Sequence, residues 1–440
     1  MVFNRIIRNF TEEWYRRGDE QSQNRRNLLF ANYTVNIIAN IVGASFFTGL
    51  LINMNADDGF IGKMTIISVS MNLLQMFAPL LLERFKQRKK LLMAGRAVIM
   101  FINIVFIGLI PLFPASQQLR LSIMALAVLI LNFFNAIVSP GITVWFISFT
   151  PVYMRAKFFS VISMTNGIVV ALAAFGAGTV VDIFKARGME LAGLEVVRGI
   201  ALLIAVVDFL LLVGMKEYPY ENTGGINIKQ LLIEPFKERL YLRTVAIAFL
   251  WNLTANIPGA FYTIYLLKDL GVNYSFLMLM GFINMPVLIF LTPVWTRFLK
   301  RFSWFKTLAV AMALYLLHYT LLAFITGSTI RFLYPIALLY AYTMALGINL
   351  AFTNIPYVNI PAKNQTLFIG FYSTIANLGA LIGVTVGNSF IAATRGKTFT
   401  LIGVTLQNKQ YLLLFTALMM LVAVAIINAL RKGAEKDDDL

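Results

Sequence analysis

Long hydrophobic runs, each long enough to cross a lipid bilayer, alternate with short charged segments along the whole chain. A hydrocarbon core about 30 Å thick requires roughly 20 predominantly apolar residues in one helix. The pattern therefore predicts twelve transmembrane helices. They lie at residues 28–52, 60–82, 91–113, 119–147, 157–181, 199–215, 243–267, 274–296, 305–327, 332–358, 366–392 and 410–430.

The composition excludes a water-soluble protein. Of the 440 residues, 59% are hydrophobic and 13% are charged, whereas soluble domains carry about 25% charged residues. The chain has no Cys and a single His, which excludes disulfides and thiolate ligands and argues against a zinc site. We expect no metal and no cofactor.

The net charge of +17 is explained by membrane topology. More than two thirds of the 37 Lys and Arg residues fall in the N-terminal segment, in every second loop and in the C-terminal tail. Basic residues favour the cytoplasmic side of a membrane. Both termini are therefore predicted to be cytoplasmic, in a multi-pass protein of the plasma or inner membrane, and binding to nucleic acid is not expected.

Three polar segments lie outside the hydrophobic runs. Residues 1–27 begin with apolar side chains that recur at helical spacing opposite arginines, which predicts a helix lying in the cytoplasmic interface, contacting membrane lipid. A frayed tail explains the same residues equally well. Residues 216–242 form a linker that contains a short amphipathic helix at 228–238, and residues 431–440 form a cytoplasmic tail.

The chain repeats itself at an offset of about 216 residues. The segments Asn36–Ala44 and Asn252–Ala260 share six of nine residues. Such a repeat across an even number of helices places both copies in the same orientation. The fold is therefore predicted to be all-α, with two parallel six-helix repeats at residues 28–215 and 243–430.

The outer loops of the two repeats also match. Residues 189–196 and 399–406 both alternate apolar and polar positions with a period of two. This period is typical of extended chain. We therefore predict a short extended flap in each repeat.

The segment after the second predicted helix resembles the loop signature of the major facilitator superfamily (MFS). That signature is Gly-x-x-x-Asp-Arg-x-Gly-Arg-Arg/Lys, and Glu83, Arg84 and Arg88 fit its acid and two of its bases. Pro79 and the pair Lys86–Gln87 depart from it. The resemblance covers nearly the whole chain and implies a transporter in which Glu83, Arg84 and Arg88 form a cytoplasmic latch. A basic cluster that only sets the topology explains these charges as well.

The resemblance also implies that the first, fourth, seventh and tenth helices border a central cavity, assisted by the second, fifth, eighth and eleventh. Polar side chains recur at helical spacing on these helices. The predicted substrate-binding residues are Asn36, Asn40, Asn252, Asn256, Asn132, Asn135, Asn349, Tyr342, Gln75 and Asn377.

A carboxamide cannot face lipid without leaving its donors and acceptors unpaired. Two roles compete for the repeated pairs Asn36/Asn40 and Asn252/Asn256. They either line the cavity and bind substrate, or they form hydrogen bonds between helices. The helices expected to border the cavity contain no Arg, Lys or acid at membrane depth, so an ionic solute would lack a countercharge.

One acid and the lone histidine lie well inside predicted spans. Asp208 is a candidate for proton coupling, because a carboxylate within a membrane is commonly functional. A structural role is the alternative, since the sixth helix is peripheral by resemblance. The lone His318, in the ninth span, is a weaker candidate for the same task.

These features predict a monomeric transporter that moves a neutral, polar or amphipathic small solute by alternating access. Amides and aromatic rings suit hydroxyl-rich ligands, so a sugar or glycoside is the first candidate, with a proton as a possible coupling ion.

Three alternatives stay open. They are an efflux carrier for drugs or lipids, a membrane sensor that does not transport, and a membrane-embedded enzyme. The last is disfavoured because no pair of acids or nucleophile–base set lies at membrane depth.

Overall fold

The computed structural model describes residues 19–82, 84–85, 87–217, 233–357, 359–360, 365–401 and 404–431. Within this part of the chain, twelve helices are long and apolar enough to cross a membrane. The prediction of an all-α membrane protein is thereby confirmed. The predicted interfacial helix before residue 19, residues 228–232 of the predicted linker helix and the tail after residue 431 lie outside the described residues.

The first six membrane helices are labelled α1 to α6. Three of them contain breaks or irregular turns, and the bounds of all six are as follows. They are α1 (Glu20–Val42 and Ala44–Asn53), α2 (Asp58–Asn72, continued by a 3₁₀ turn Leu73–Phe77 and a short helix Ala78–Leu82), α3 (Lys89–Met100, a π-helical segment Phe101–Phe106, Ile107–Leu109 and a 3₁₀ turn Ile110–Leu112), α4 (Gln117–Ser148), α5 (Val152–Lys185) and α6 (Glu190–Val213).

The remaining elements follow a short 3₁₀ helix at Glu234–Lys237. They are α7 (Arg239–Asn256, Phe261–Ile264 and a π-helical turn Tyr265–Asp269), α8 (Tyr274–Gly281 and Asn284–Arg301), α9 (Trp304–Ala323), α10 (Ile330–Phe352, followed by a 3₁₀ turn Ile355–Tyr357), α11 (Gln365–Ala393), β1 (Phe399–Leu401), β2 (Val404–Leu406) and α12 (Asn408–Arg431).

One of the two predicted extended flaps is present. Strands β1 and β2 pair antiparallel, with Phe399 opposite Leu406 and Leu401 opposite Val404. The prediction for residues 189–196 is wrong, because α6 already begins at Glu190. Buried positions there, such as Gly193, Leu194 and Val197, recur at the spacing of a helix rather than of a strand.

The chain divides into two compact units. The first takes its described residues from Met1–Asn55, Phe77–Gly225 and Asn273–Met278. The second takes them from Ala56–Met76, Ile226–Val272 and Leu279–Leu440. Most of α2 thus packs in the second unit, while the beginning of α8 packs in the first.

A buried aromatic core stabilises the first unit. It surrounds Trp145 of α4, Phe149 directly after the end of α4, and Phe158 of α5. The indole nitrogen of Trp145 donates a hydrogen bond to the carbonyl of Lys216 at 3.0 Å. This bond ties α4 to the segment that follows α6.

Close packing of α11 on α7 stabilises the second unit. A Cβ atom on Gly379, Gly383 or Gly387 would lie only 2.6, 2.2 or 1.9 Å from a backbone oxygen of α7. Small residues allow two helix backbones to approach closely. The three glycines therefore form the packing face of α11.

Candidate solute cavity

A cavity of about 340 Å³ opens in the first unit between α1, α3 and α4. Apolar side chains such as Val35 and Leu131 form part of its wall. Its polar lining consists mainly of carboxamides and hydroxyls, contributed by Asn32, Asn36, Asn103, Asn132, Asn135, Ser139 and Thr143. The structure thus brings three of the predicted substrate-binding residues, Asn36, Asn132 and Asn135, to one cavity.

The repeated Asn pairs form their hydrogen bonds within their own helices. The side-chain nitrogen of Asn36 donates to the carbonyl of Asn32 at 2.8 Å, and that of Asn40 donates to the carbonyl of Asn36 at 2.9 Å. In α7, Asn252 donates to Ala248 at 2.9 Å and Asn256 to Asn252 at 2.7 Å.

A bond of this kind needs one N–H group of the carboxamide, which has a second N–H group and an oxygen for other partners. Among the described residues, none of the four Asn side chains bonds to another helix. The structure therefore offers no support for a role as interhelical bonds.

The other predicted substrate-binding residues do not line this cavity. On α1, Asn40 is exposed. In the second unit, Asn252 and Asn256 are half-buried. Beside Asn252, the ring of Trp251 lies 5.9 Å from that of Tyr315 and 6.2 Å from that of Phe352. The remaining four are either exposed or half-buried, namely Gln75, Tyr342, Asn349 and Asn377.

The cavity is also lined by a charged residue that the sequence analysis did not place there. Arg96 of α3 is 6% exposed and borders the cavity. Its Nε and Nη2 donate to the two carboxylate oxygens of Asp208 at 2.8 and 2.7 Å. The hydroxyl of Thr34 donates to the same carboxylate at 2.6 Å.

The cavity is thus bordered by an ion pair that joins α3 to α6. The third helix was not among those expected to border a cavity, and for this reason the sequence analysis missed Arg96. The sequence did carry one signal for Arg96, namely its position inside a hydrophobic span.

A second buried charge joins the same two helices. The Nη1 of Arg198 on α6 donates to the carbonyl of Asn103 at 2.6 Å, inside the π-helical segment of α3. The wider π-helical turn leaves backbone carbonyls available. Arg198 therefore stabilises the irregular segment next to the cavity.

The predicted latch is only partly described. Glu83 lies outside the described residues, and Arg84 is exposed. Arg88 is buried, and its Nε donates to the carbonyl of Phe85 at 3.1 Å. A carboxylate missed by the sequence analysis, that of Glu217, accepts from the backbone N–H groups of Arg88 and Lys89 and so caps the start of α3.

His318 holds two helices together. Its Nδ1 lies 3.0 Å from the carbonyl oxygen of Ala337 on α10, and the side chain is buried between α9 and α10. This contact favours a structural role for His318.

A cluster of four charges lies in the second unit, where α2, α7 and α12 meet. Lys409 is buried and lies 2.7 Å from Asp58 and 2.6 Å from Asp269. Asp58 also contacts Lys268 at 2.7 Å. These pairs hold the start of α2 against α7 and α12.

In the first unit, a carboxylate of α5 caps α8. Asp182 accepts from the backbone N–H groups of Tyr274 and Ser275, both at 2.8 Å. Glu190 accepts from the hydroxyl of Tyr274 at 2.8 Å. An acid at a helix N-terminus satisfies free N–H groups and the helix dipole.

Comparison with known proteins identifies similar chains and folds. The sequence profile of the Major Facilitator Superfamily matches residues 28–384. No curated relative matches the sequence. Among solved structures, the nucleoside transporter NupG is similar, with a TM-score of 0.63 at 15% identity, and the match covers 94% of this chain and 99% of that one.

Two bacterial homologues of transporters are similar as well. One is a homologue of the iron transporter ferroportin in an inward-facing state, with a TM-score of 0.67 at 14% identity and coverage of 94% and 98%. The other is a homologue of the human lysosomal transporter Spinster, with a TM-score of 0.64 at 15% identity and the same coverage. At these identities the likeness shows the fold alone.

Proposed function

Because the chain belongs to the Major Facilitator Superfamily and is a membrane transporter, we propose that it moves a small, neutral, polar or amphipathic solute by alternating access. A sugar or glycoside is the first candidate class. The proposal places the solute against the carboxamides and hydroxyls of the cavity in the first unit.

The observation that carries the proposal is the balance of charge and hydrogen-bonding groups at the cavity. Each carboxamide offers an acceptor and donors to a hydroxyl. The positive charge of Arg96 is compensated by Asp208 at 2.7 Å. The lining therefore favours an uncharged solute rich in hydroxyl groups over an ion.

The similarity to NupG adds nucleosides to the candidate solutes. A nucleoside is a neutral molecule that combines a hydroxyl-bearing sugar with a flat base, so it matches the same lining. The ferroportin homologue raises the alternative of a metal ion. Among the described residues, no group of three or more acids or histidines lies together, which gives that alternative no support.

An efflux carrier for drugs or lipids is the second candidate. The apolar part of the wall, including Val35, Leu131 and Met100, favours a partly hydrophobic solute.

We further propose that the protein is a monomer in the plasma or inner membrane and that both of its termini are cytoplasmic. Glu83, Arg84 and Arg88 then act as the latch on the cytoplasmic side.

Exchange of radiolabelled solutes into proteoliposomes tests the proposal. The panel contains glucose, lactose and uridine as neutral solutes, and lactate and choline as charged ones. We expect exchange of at least one neutral solute and its loss in Asn132→Leu and Asn135→Leu. The control Ser122→Leu changes an exposed residue near the start of α4 and should leave exchange intact. Exchange of only the charged solutes would overturn the proposal.

A further inference from the structure

We propose that Asn103 of α3 binds the solute directly and that Arg198 of α6 is the residue that positions it. The inference rests on the proposed function, because it names a solute-binding residue of the cavity in the first unit. Asn103 lies on a helix that the sequence did not place at a cavity, and it therefore belongs to none of the predicted polar stripes.

The side chain of Asn103 is available to a solute. It is half-buried and lines the cavity. Asn36 and Asn132 each donate to the carbonyl four residues earlier in their own helix, whereas the carboxamide of Asn103 forms no hydrogen bond with any described residue. Within a membrane such a group is costly unless water or a solute pairs with it. A hydroxyl-bearing solute in the cavity can use both its donors and its acceptor.

The π-helical segment of α3 changes the bonding of the Asn103 backbone. The N–H of Ile107 donates to the carbonyl of Ile102, five residues earlier. In an α-helix the same N–H would donate to the carbonyl of Asn103. The carbonyl of Asn103 therefore loses its α-helical donor, and Nη1 of Arg198 replaces that donor at 2.6 Å. The bond from α6 thus stabilises the π-helical turn at Asn103 itself.

The π-helical segment also fixes the direction in which α3 presents its side chains. Buried positions recur along α3 at steps of four residues, namely Leu92, Arg96, Met100, Ile104 and Gly108. In a regular α-helix each step of four turns the side chain by about 40° away from the previous one. The wider π-helical turn offsets this drift and keeps the later positions on the buried face. Asn103 stays beside that face, at the cavity.

Close packing holds Arg198 at this carbonyl. Arg198 is buried. A Cβ atom on Gly108 would lie 2.8 Å from Oε2 of Glu195 and 3.0 Å from Cδ of Arg198, so α6 fits tightly against α3 at this point. Arg198 does not line the cavity in the described part of the chain. It therefore acts on the solute only through Asn103, as a positioning residue.

The chain contains no cysteine, so single introduced cysteines report which positions contact water. The three variants are Asn103→Cys, Ile104→Cys and Phe101→Cys. Ile104 is buried, and Phe101 is exposed but does not line the cavity. A polar methanethiosulfonate reagent reacts with the thiolate, which forms in water but not in lipid or a packed interior. We expect Asn103→Cys to react at least about tenfold faster than either control.

Adding Arg198→Met to Asn103→Cys tests the positioning role. The substitution removes the donor and keeps most of the apolar side chain, so Ile107 can return to the α-helical bond and the side chain at position 103 turns away from the cavity. We expect the labelling rate of Asn103→Cys to fall about fivefold or more. Arg198→Lys keeps a donor and should recover part of the rate.

The matched control is Ser139→Cys, on the cavity wall formed by α4, which should keep its labelling rate when Arg198→Met is added. An unchanged rate at Asn103→Cys in the presence of Arg198→Met would overturn the positioning role. An equal loss at Ser139→Cys would also overturn it, because Arg198 would then support the whole cavity. Labelling of Asn103→Cys as slow as that of Ile104→Cys would overturn the placement of Asn103 at the cavity.

A second measurement tests the contact with the solute. For whichever neutral panel solute the protein exchanges, Asn103→Ala should raise the half-saturation concentration about tenfold and change the maximal rate much less, because a binding contact is lost. Arg198→Met should act in the same direction, and Arg198→Lys should act less. The control Phe101→Ala changes an exposed residue of the same helix outside the cavity and should leave both quantities unchanged.

The two measurements separate failure of the inference from failure of the proposed function. Exchange with an unchanged half-saturation concentration in Asn103→Ala would overturn the role of Asn103 and leave the proposed function intact. If no panel solute is exchanged while labelling behaves as expected, the proposed solute class fails, and the placement of Asn103 by Arg198 stands.

Discussion

The Asn residues of the cavity show that a sequence can predict where a residue lies without predicting which hydrogen bonds its side chain forms. The sequence places Asn36, Asn132 and Asn135 on polar stripes, and the structure brings them to one cavity. The sequence could not show that Asn36 donates to the carbonyl four residues earlier. An Asn side chain within a helix can bond to its own helix or to another group, and only the local geometry decides between the two.

Replacing Asn36 by Leu should weaken solute binding by about 1–3 kcal/mol, the cost of a buried group left without its partner. Thermal stability of the empty protein should change little, because the carbonyl that loses the Asn36 bond keeps its backbone hydrogen bond within the helix. Melting temperature and solute affinity are measured on single Leu variants of Asn36, Asn40, Asn252 and Asn256. Stability loss without affinity loss in Asn36→Leu would contradict a cavity role for Asn36.

The pair Arg96–Asp208 gives the largest expected effect of a single substitution. Asp208→Leu should cost roughly 3–5 kcal/mol of stability, because it leaves a buried guanidinium uncompensated. Adding Arg96→Leu should recover most of that loss, since two apolar side chains replace the pair. Chemical unfolding in detergent measures all three variants, and additive losses in the double variant would show that the two residues act independently.

At the scale of elements, hydrophobic periodicity predicted the existence and order of all twelve membrane helices. It failed at their ends and breaks. The start of α6 at Glu190 and the π-helical segment of α3 depend on partners from other helices, such as Arg198 bonding to Asn103. Charges buried between helices carry no periodic signal, so a single sequence shows them only as exceptions within apolar runs.

Two glycines offer a matched test of helix packing. Gly383→Ala would place a methyl group 2.2 Å from the carbonyl oxygen of Leu253, whereas Gly176→Ala on α5 meets nothing within 4 Å. We expect Gly383→Ala to lower the melting temperature by several degrees, because overpacking costs about 1–3 kcal/mol. Gly176→Ala should be neutral or slightly stabilising, since Ala favours helix by about 1 kcal/mol. Equal melting temperatures for the two variants would contradict the packing of α11 on α7.

At the scale of the whole molecule, the internal repeat and the family resemblance predict the same architecture, and the family match and the solved neighbours agree with it. The repeat itself makes a further prediction. Superposing residues 28–215 on 243–430 in an experimental structure should bring Asn36–Ala44 onto Asn252–Ala260, related by an axis near the membrane normal. A superposition that requires inverted topology would contradict a parallel duplication.

The account depends most directly on whether the cavity in the first unit binds a neutral solute. The decisive measurement is exchange of glucose, lactose and uridine by purified protein in liposomes, compared with Asn132→Leu, Asn135→Leu and the control Ser122→Leu. The account predicts exchange of at least one of the three solutes, lost in both cavity variants and retained in the control. Exchange that is unchanged in both cavity variants would contradict it.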